Sequence, residues 1–199
     1  MRSVDFYFDF GSPNSYLAHK VIPSIEDRTK ASFNYRPVLL GGVFKLTNNK
    51  SPAVQFGDIR NKPEYLKREN QRFIAKHAIK FQRNPYFPVN TVTVMRGAVV
   101  ALQEGYLPAY ADAIFAHMWQ YPKKLDEFDA IKAVLNDAGL DGAHILEMVR
   151  QPEVKEQLAT DTQTAVDRGV FGCPTFFVDA EMFFGKDRLG QVEEEMLRP

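Results

Sequence analysis

The sequence predicts an α/β fold: a small sheet built from both ends of the chain, interrupted by an all-helical insertion. Three observations predict it. Residues 3–10 alternate Val4, Phe6, Phe8 and Phe10 with Asp5, Tyr7 and Asp9, the period of a strand. Residues from about 90 to 168 offer helix-length blocks and almost no strand signal, and two short apolar runs return near the end, at 175–178 and 182–184. The two sheet portions must therefore meet in space. Residues 1–40 and 170–199 form one discontinuous unit in this reading, and residues 41–169 the helical insertion with its connecting loop.

Each element has a local cause. Gly11 breaks the first strand, and Ser12 and Pro13 then occupy the favoured N-cap and first helical positions of a helix running to about Arg28, with Tyr16, Leu17, Val21 and Ile25 near helical spacing. Ser32 to Leu40 reads as a second strand whose Pro37 suits an edge or an end. Residues 41–62 read as loop, because of their glycines, prolines and the polar run Thr47-Asn48-Asn49-Lys50-Ser51. Helical composition returns from Pro63 to about Lys80, and Asn84-Pro85-Tyr86-Phe87-Pro88 is turn-rich. The blocks of the 90–168 region are punctuated at Leu107-Pro108, Tyr121-Pro122, Gly139–Gly142 and Gln151-Pro152. Asp179-Ala180-Glu181 turns between the last two strands, and a final helix is expected near Asp187.

Composition excludes several classes of function. With 199 residues, 45% of them apolar, the chain can bury a substantial core. Lys and Arg total 25 against 25 Asp and Glu, so no long-range positive field gathers nucleic acid or anionic lipid, and neither is expected as a partner. No stretch approaches the roughly 18 to 20 apolar residues of a membrane span, and Asp5 and Asp9 interrupt any signal-peptide core. A soluble, cytoplasmic protein is the expectation. The single cysteine, Cys173, provides neither an intramolecular disulfide nor a cysteine-based zinc site. His19, His77, His117 and His144 have no metal-ligand spacing, so no metal is expected.

Three patterns, in order, carry a resemblance. Phe8-Asp9-Phe10-Gly11-Ser12-Pro13-Asn14-Ser15-Tyr16-Leu17 is similar to the opening of the 2-hydroxychromene-2-carboxylate isomerases and kappa-class glutathione transferases. Val170-Phe171-Gly172-Cys173-Pro174-Thr175 looks like the cis-proline loop of thioredoxin-fold proteins, and Phe184-Gly185-Lys186-Asp187-Arg188-Leu189 resembles the start of the family's last helix. The resemblance implies a thioredoxin-like fold with an inserted helical subdomain, DsbA-like, with glutathione as cofactor and a homodimer as assembly. Where the superfamily's disulfide oxidoreductases place Cys-x-x-Cys, this chain has Ser12-Pro13-Asn14-Ser15. Two serines cannot cycle through a disulfide, so dithiol exchange is set aside.

A serine at a helix N-terminus can instead stabilise a bound thiolate. A hydrogen bond to a charged group contributes about 1.5 to 3 kcal/mol and the helix terminus about 0.3 to 2 kcal/mol. At about 1.4 kcal/mol per pKa unit, a bound thiol is lowered by roughly one to three units. By resemblance, Ser12 is the catalytic residue, and the main chain at Cys173, with Pro174, pairs with the tripeptide without needing the thiol. Asp187 takes its γ-glutamyl ammonium and the amides around Lys186 its carboxylate, while Asn49 and Lys50 reach over it. Asp187 also fits a plain helix cap, and Asn49 a turn former. Phe44, Lys45, Tyr86 and Trp119 are candidates to contact the substrate, although Trp119 also fits a packing role beside Phe115.

The implied reaction is a cis-trans isomerisation of an aromatic-degradation carboxylate, in which a thiolate adds to a conjugated double bond, permits rotation and leaves. Two alternatives share the fold. A kappa-like transferase or peroxidase would consume glutathione on an electrophile, and a non-enzymatic binding module would not be stabilised by it.

Overall fold

The computed structural model describes residues 3–198. Its sheet has the order β2-β1-β3-β4 and draws on both ends of the chain. β1 (Ser3–Phe8) pairs in parallel with β2 (Ser32–Pro37), matching Val4 with Phe33 and Phe6 with Tyr35. On its other side β1 runs antiparallel to β3 (Thr175–Val178), matching Phe6 with Phe176, and β3 turns at Asp179 into β4 (Glu181–Phe184). Pro37 ends β2, and β2 is an edge strand, so both readings of that proline hold.

Alternation along β1 decides which helices cover which face. Val4, Phe6 and Phe8 point into the larger core, where Phe6 stacks on Phe176 at 5.2 Å between ring centroids. That core receives α1 (Pro13–Thr29), α5 (Val92–Gln103), α6 (Leu107–Trp119), α7 (Phe128–Asp137), α8 (Gly142–Met148) and α10 (Leu189–Met196). Tyr7 and Phe177 point the other way, into a smaller cluster with Val38, Val43, Ala165, Val170 and Cys173. α2 (Leu40–Thr47) and α9 (Pro152–Asp167) close that face. Each buried aromatic removes enough apolar surface to contribute about 1.5 to 3 kcal/mol, so the strand pattern dominates the placement of everything else.

The expected loop at 41–62 contains two helices, α2 and α3 (Pro52–Phe56). Ser51 caps α3 through its side chain, with Pro52 next to it, the same chemistry as Ser12 and Pro13. α2 is capped from a distance: the Asp9 carboxylate accepts from Leu40 N–H at 2.8 Å, and Thr162 Oγ1 from Leu39 N–H at 3.0 Å. Gly42 also lets α2 approach α9, since a Cβ there would stand 3.1 Å from the Thr162 methyl. The helix after it, α4 (Lys62–Lys76), stops short of Lys80.

Candidate functional site

The first turn of α1 sets the geometry. Ser12, extended at φ −88° and ψ 112°, accepts at Oγ from Ser15 N–H at 3.2 Å, a helix N-cap. The same Oγ donates to the Cys173 carbonyl at 2.9 Å across the sheet. Ser12 is thus buried, and its proton is held by the residue immediately before a cis proline, because the Cys173–Pro174 peptide is cis. Residues 161 positions apart in sequence meet here.

The third motif joins them through the main chain. Gly185 N–H donates to the Pro174 carbonyl at 2.9 Å, and Gly185 adopts φ 95°, a backbone region that favours glycine. Lys186 and Asp187 follow directly. Lys186 turns its side chain inward, 4% exposed, with Nζ 2.9 Å from Asp187 Oδ1 and 5.0 Å above the Phe73 ring. Asp187 keeps its carboxylate outside. The final helix starts near Asp187 as expected: Lys186–Arg188 is a single 3-10 turn that runs into α10 at Leu189.

Asn49 reaches the same loop. Its Nδ2 donates to the Phe171 carbonyl at 2.8 Å, and its Oδ1 accepts from Lys50 N–H. Lys50 and Lys45 point into solvent, and Phe44 is half-buried on α2, next to Val43 in the cluster around Cys173. Tyr86 is exposed on the loop that ends in the cis Phe87–Pro88 peptide, next to Phe87, which packs against Trp119. Trp119 packs inside the core. It is 2% exposed, stacks on Phe81 at 5.8 Å and donates from Nε1 to the Phe10 carbonyl at 2.7 Å. It thereby braces the turn that carries Ser12.

Asp9 was not singled out by its residue type, and it organises the site. Buried at the end of β1, its Oδ1 accepts from Gly11 N–H at 2.8 Å and its Oδ2 from Leu40 N–H and the Thr91 hydroxyl at 3.2 Å. It thereby fastens the Ser12 turn to α2 and to the start of α5. Burial pushes its carboxyl above the ordinary range, against the pull of those three donors. Burial, with the nearby Asp9, also pushes the Cys173 thiol well up, which removes the thiolate that thiol chemistry needs.

Two cavities, of about 580 and 250 Å³, lie on the β2 side of the molecule and include none of these residues. The Ser12 turn is recognised by its convergent polar groups instead. Among the described residues no helix is long and apolar enough to cross a membrane.

Comparison with known proteins agrees with this architecture. The family model described as DSBA-like thioredoxin domain matches residues 3–197. A protein named 2-hydroxychromene-2-carboxylate isomerase in Sphingobium xenophagum is 28% identical over 196 residues, covering 98% of both chains. The human protein named glutathione S-transferase kappa 1 is 26% identical over 206 residues, 94% of this chain and 88% of its own. A solved 2-hydroxychromene-2-carboxylate isomerase superposes with a TM-score of 0.85 at 28% identity, covering 98% of this chain and 94% of the other.

Proposed function

The chain belongs to the DSBA-like thioredoxin domain family, and from that premise we propose that it is a glutathione-dependent cis-trans isomerase acting on 2-hydroxychromene-2-carboxylate or a related aromatic-degradation intermediate. One observation carries the reading. A serine hydroxyl at the start of α1 meets the carbonyl before the cis proline, where the redox members of the fold need a pair of thiols. Full-length similarity to proteins named as isomerases supports it.

The residues fit a bound thiol peptide. Beside Ser12, Ser15 Oγ and Asn14 Oδ1 are buried without hydrogen-bond partners, a polar surplus that a structural turn does not require. Glutathione, when bound, supplies a nucleophilic thiolate that adds to a conjugated double bond and leaves after rotation. The chain's part is positioning and charge. Ser12 turns its hydroxyl from the Cys173 carbonyl toward the sulfur, which frees that carbonyl to accept from the ligand's main chain. The positive end of α1 adds to the same effect. Asp187, with one oxygen held by Lys186 and the other open, takes the ammonium. Main-chain amides at 186 and 187 take the γ-glutamyl carboxylate. Asn49 and Lys50 cover the ligand from the α2 side, with Phe44, Lys45 and Tyr86 facing the substrate.

The test is ultraviolet absorbance of bound glutathione thiolate across pH, wild type against Ser12→Ala. The variant should titrate roughly one to three units higher; identical titrations remove Ser12 from its role. A kappa-like transferase is the second reading, favoured by the relatives of that name. Turnover that conserves total glutathione selects the isomerase, and stoichiometric loss selects the transferase. A cytoplasmic homodimer belongs to the same proposal, and sedimentation of the purified protein tests the dimer.

A further inference from the structure

The cavity of about 580 Å³ lies along α1, the helix that Ser12 caps, but its lining includes neither Ser12 nor Cys173, and its size is that of a small-molecule site. One face of α1 supplies His19, Ile22, Pro23 and Glu26, at spacings of three and four residues. Leu107, Pro108, Ala111 and Asp112 supply the opposite wall from α6, and β2 contributes Phe33 to Arg36. Ile22, Leu102, Leu107 and Ala111 make much of the wall aliphatic, and two of its polar groups, Glu26 and Asp112, are carboxylates.

Asp112 is the most exposed of these acceptors, and it is held in place. His19 bridges it to the sheet: Nε2 lies 2.9 Å from Asp112 Oδ1 and Nδ1 lies 2.8 Å from the Tyr35 hydroxyl. With His19 packed against Phe115 at 4.8 Å, the chain Asp112–His19–Tyr35 has little freedom. Hydrogen bonding to His19 keeps the Asp112 carboxyl below its ordinary range, so it stays charged. Glu26 is the second carboxylate: one oxygen accepts from Phe33 N–H at 2.8 Å, and the other is uncommitted. Arg36, the cation of the lining, donates its Nε to Asp5 at 3.1 Å.

We propose that this cavity is a ligand site for a small molecule carrying a protonated amine on an aliphatic or aromatic body. Asp112 and Glu26 receive the ammonium hydrogens, and Ile22, Leu107 and Ala111 take the apolar part. The proposal does not depend on how the Ser12 turn functions.

The experiment is an NMR titration of the full chain with 2-phenylethylamine, with phenylacetate as the matched anion, following His19 and the Ile22 and Ala111 methyl groups. Saturable shifts from the amine are expected, with an affinity at least about tenfold above that for phenylacetate. Asp112→Asn, at an exposed position that folding tolerates, should weaken the amine by about tenfold. Glu26→Gln keeps an acceptor for Phe33 N–H and should weaken it less. No saturable shift, equal response to the anion, unchanged affinity in Asp112→Asn, or shifts confined to residues around Ser12 and Cys173 would each overturn the proposal.

Discussion

The Ser12 turn and the segment from Phe44 to Pro88 are two parts of one candidate site built by opposite means. Around the turn, Asp9, Phe10, Ser12, Ser15 and Tyr16 are all buried, and their polar atoms mostly bond to residues far along the chain. From Phe44 to Pro88 only Asn84 is buried, and neither α3 nor α4 buries a single residue. α4 leans on local devices: an Arg68–Glu64 pair at 3.9 Å, an Arg72–Glu69 pair, and, at its first residue, Lys62 over the Phe56 ring. Exposed pairs of this kind contribute about 0.2 to 1 kcal/mol at most. The difference teaches that the part we propose holds the thiol is over-determined by the core, whereas the part we propose covers it is the first to open.

Truncations can break that contrast. Trp119→Ala, far from the Ser12 hydroxyl in sequence, removes both the stacking on Phe81 and the bond to the Phe10 carbonyl. It should cost about 3 to 5 kcal/mol of stability by urea unfolding; a loss below about 1 kcal/mol would mean the turn is braced by something else. Ser12→Ala comes next. It should lower kcat/KM with glutathione by roughly 10- to 100-fold at neutral pH, the equivalent of one hydrogen bond to a charged group.

Asp9→Asn should be smaller and dependent on pH. Asparagine offers one acceptor oxygen where the carboxylate has two, so a buried N–H of Gly11 or Leu40 is left unpaired, at about 1 to 3 kcal/mol. The sign of the pH effect follows from burial, which raises the Asp9 carboxyl above its ordinary 3.8 in the folded chain. The native state therefore holds this proton more tightly than the unfolded state. That contribution is complete below about pH 3.8 and fades as pH rises through the raised value. The deficit of Asp9→Asn relative to wild type should thus be widest in acid and narrow toward neutrality, measured as the difference in urea midpoint; a deficit that widens with pH would reverse the assignment. Ile59→Ser and Tyr65→Ser, on the exposed segment, should each change stability by no more than about 0.5 kcal/mol. Amide exchange in α4 should nevertheless be faster than in α1 in every variant.

Much of the architecture was legible because its causes are local. The period of β1, the Ser12–Pro13 cap and the β3–β4 hairpin all sit within a few residues of what produces them. α3 could have been found the same way, from Ser51 and Pro52, had the surrounding polar run not outweighed them. α2 could not: its caps are Asp9 and Thr162, distant in sequence, and its Gly41 and Gly42 argue against a helix on propensity alone. The organising role of Asp9 was not legible, since nothing local shows that three segments converge on it. Trp119 was read two ways, and packing prevailed because its indole N–H finds a main-chain partner inside the core.

The lone sulfhydryl has a practical consequence. Cys173 is 8% exposed and its thiol is pushed up by burial, so alkylating reagents attack it slowly while the cis-proline loop stays seated. Because the chain has a single cysteine, each labelling event marks one excursion of that loop. Iodoacetamide uptake thus acts as a clock on how often the floor of the Ser12 turn comes undone, readable by mass alone and without any knowledge of the substrate.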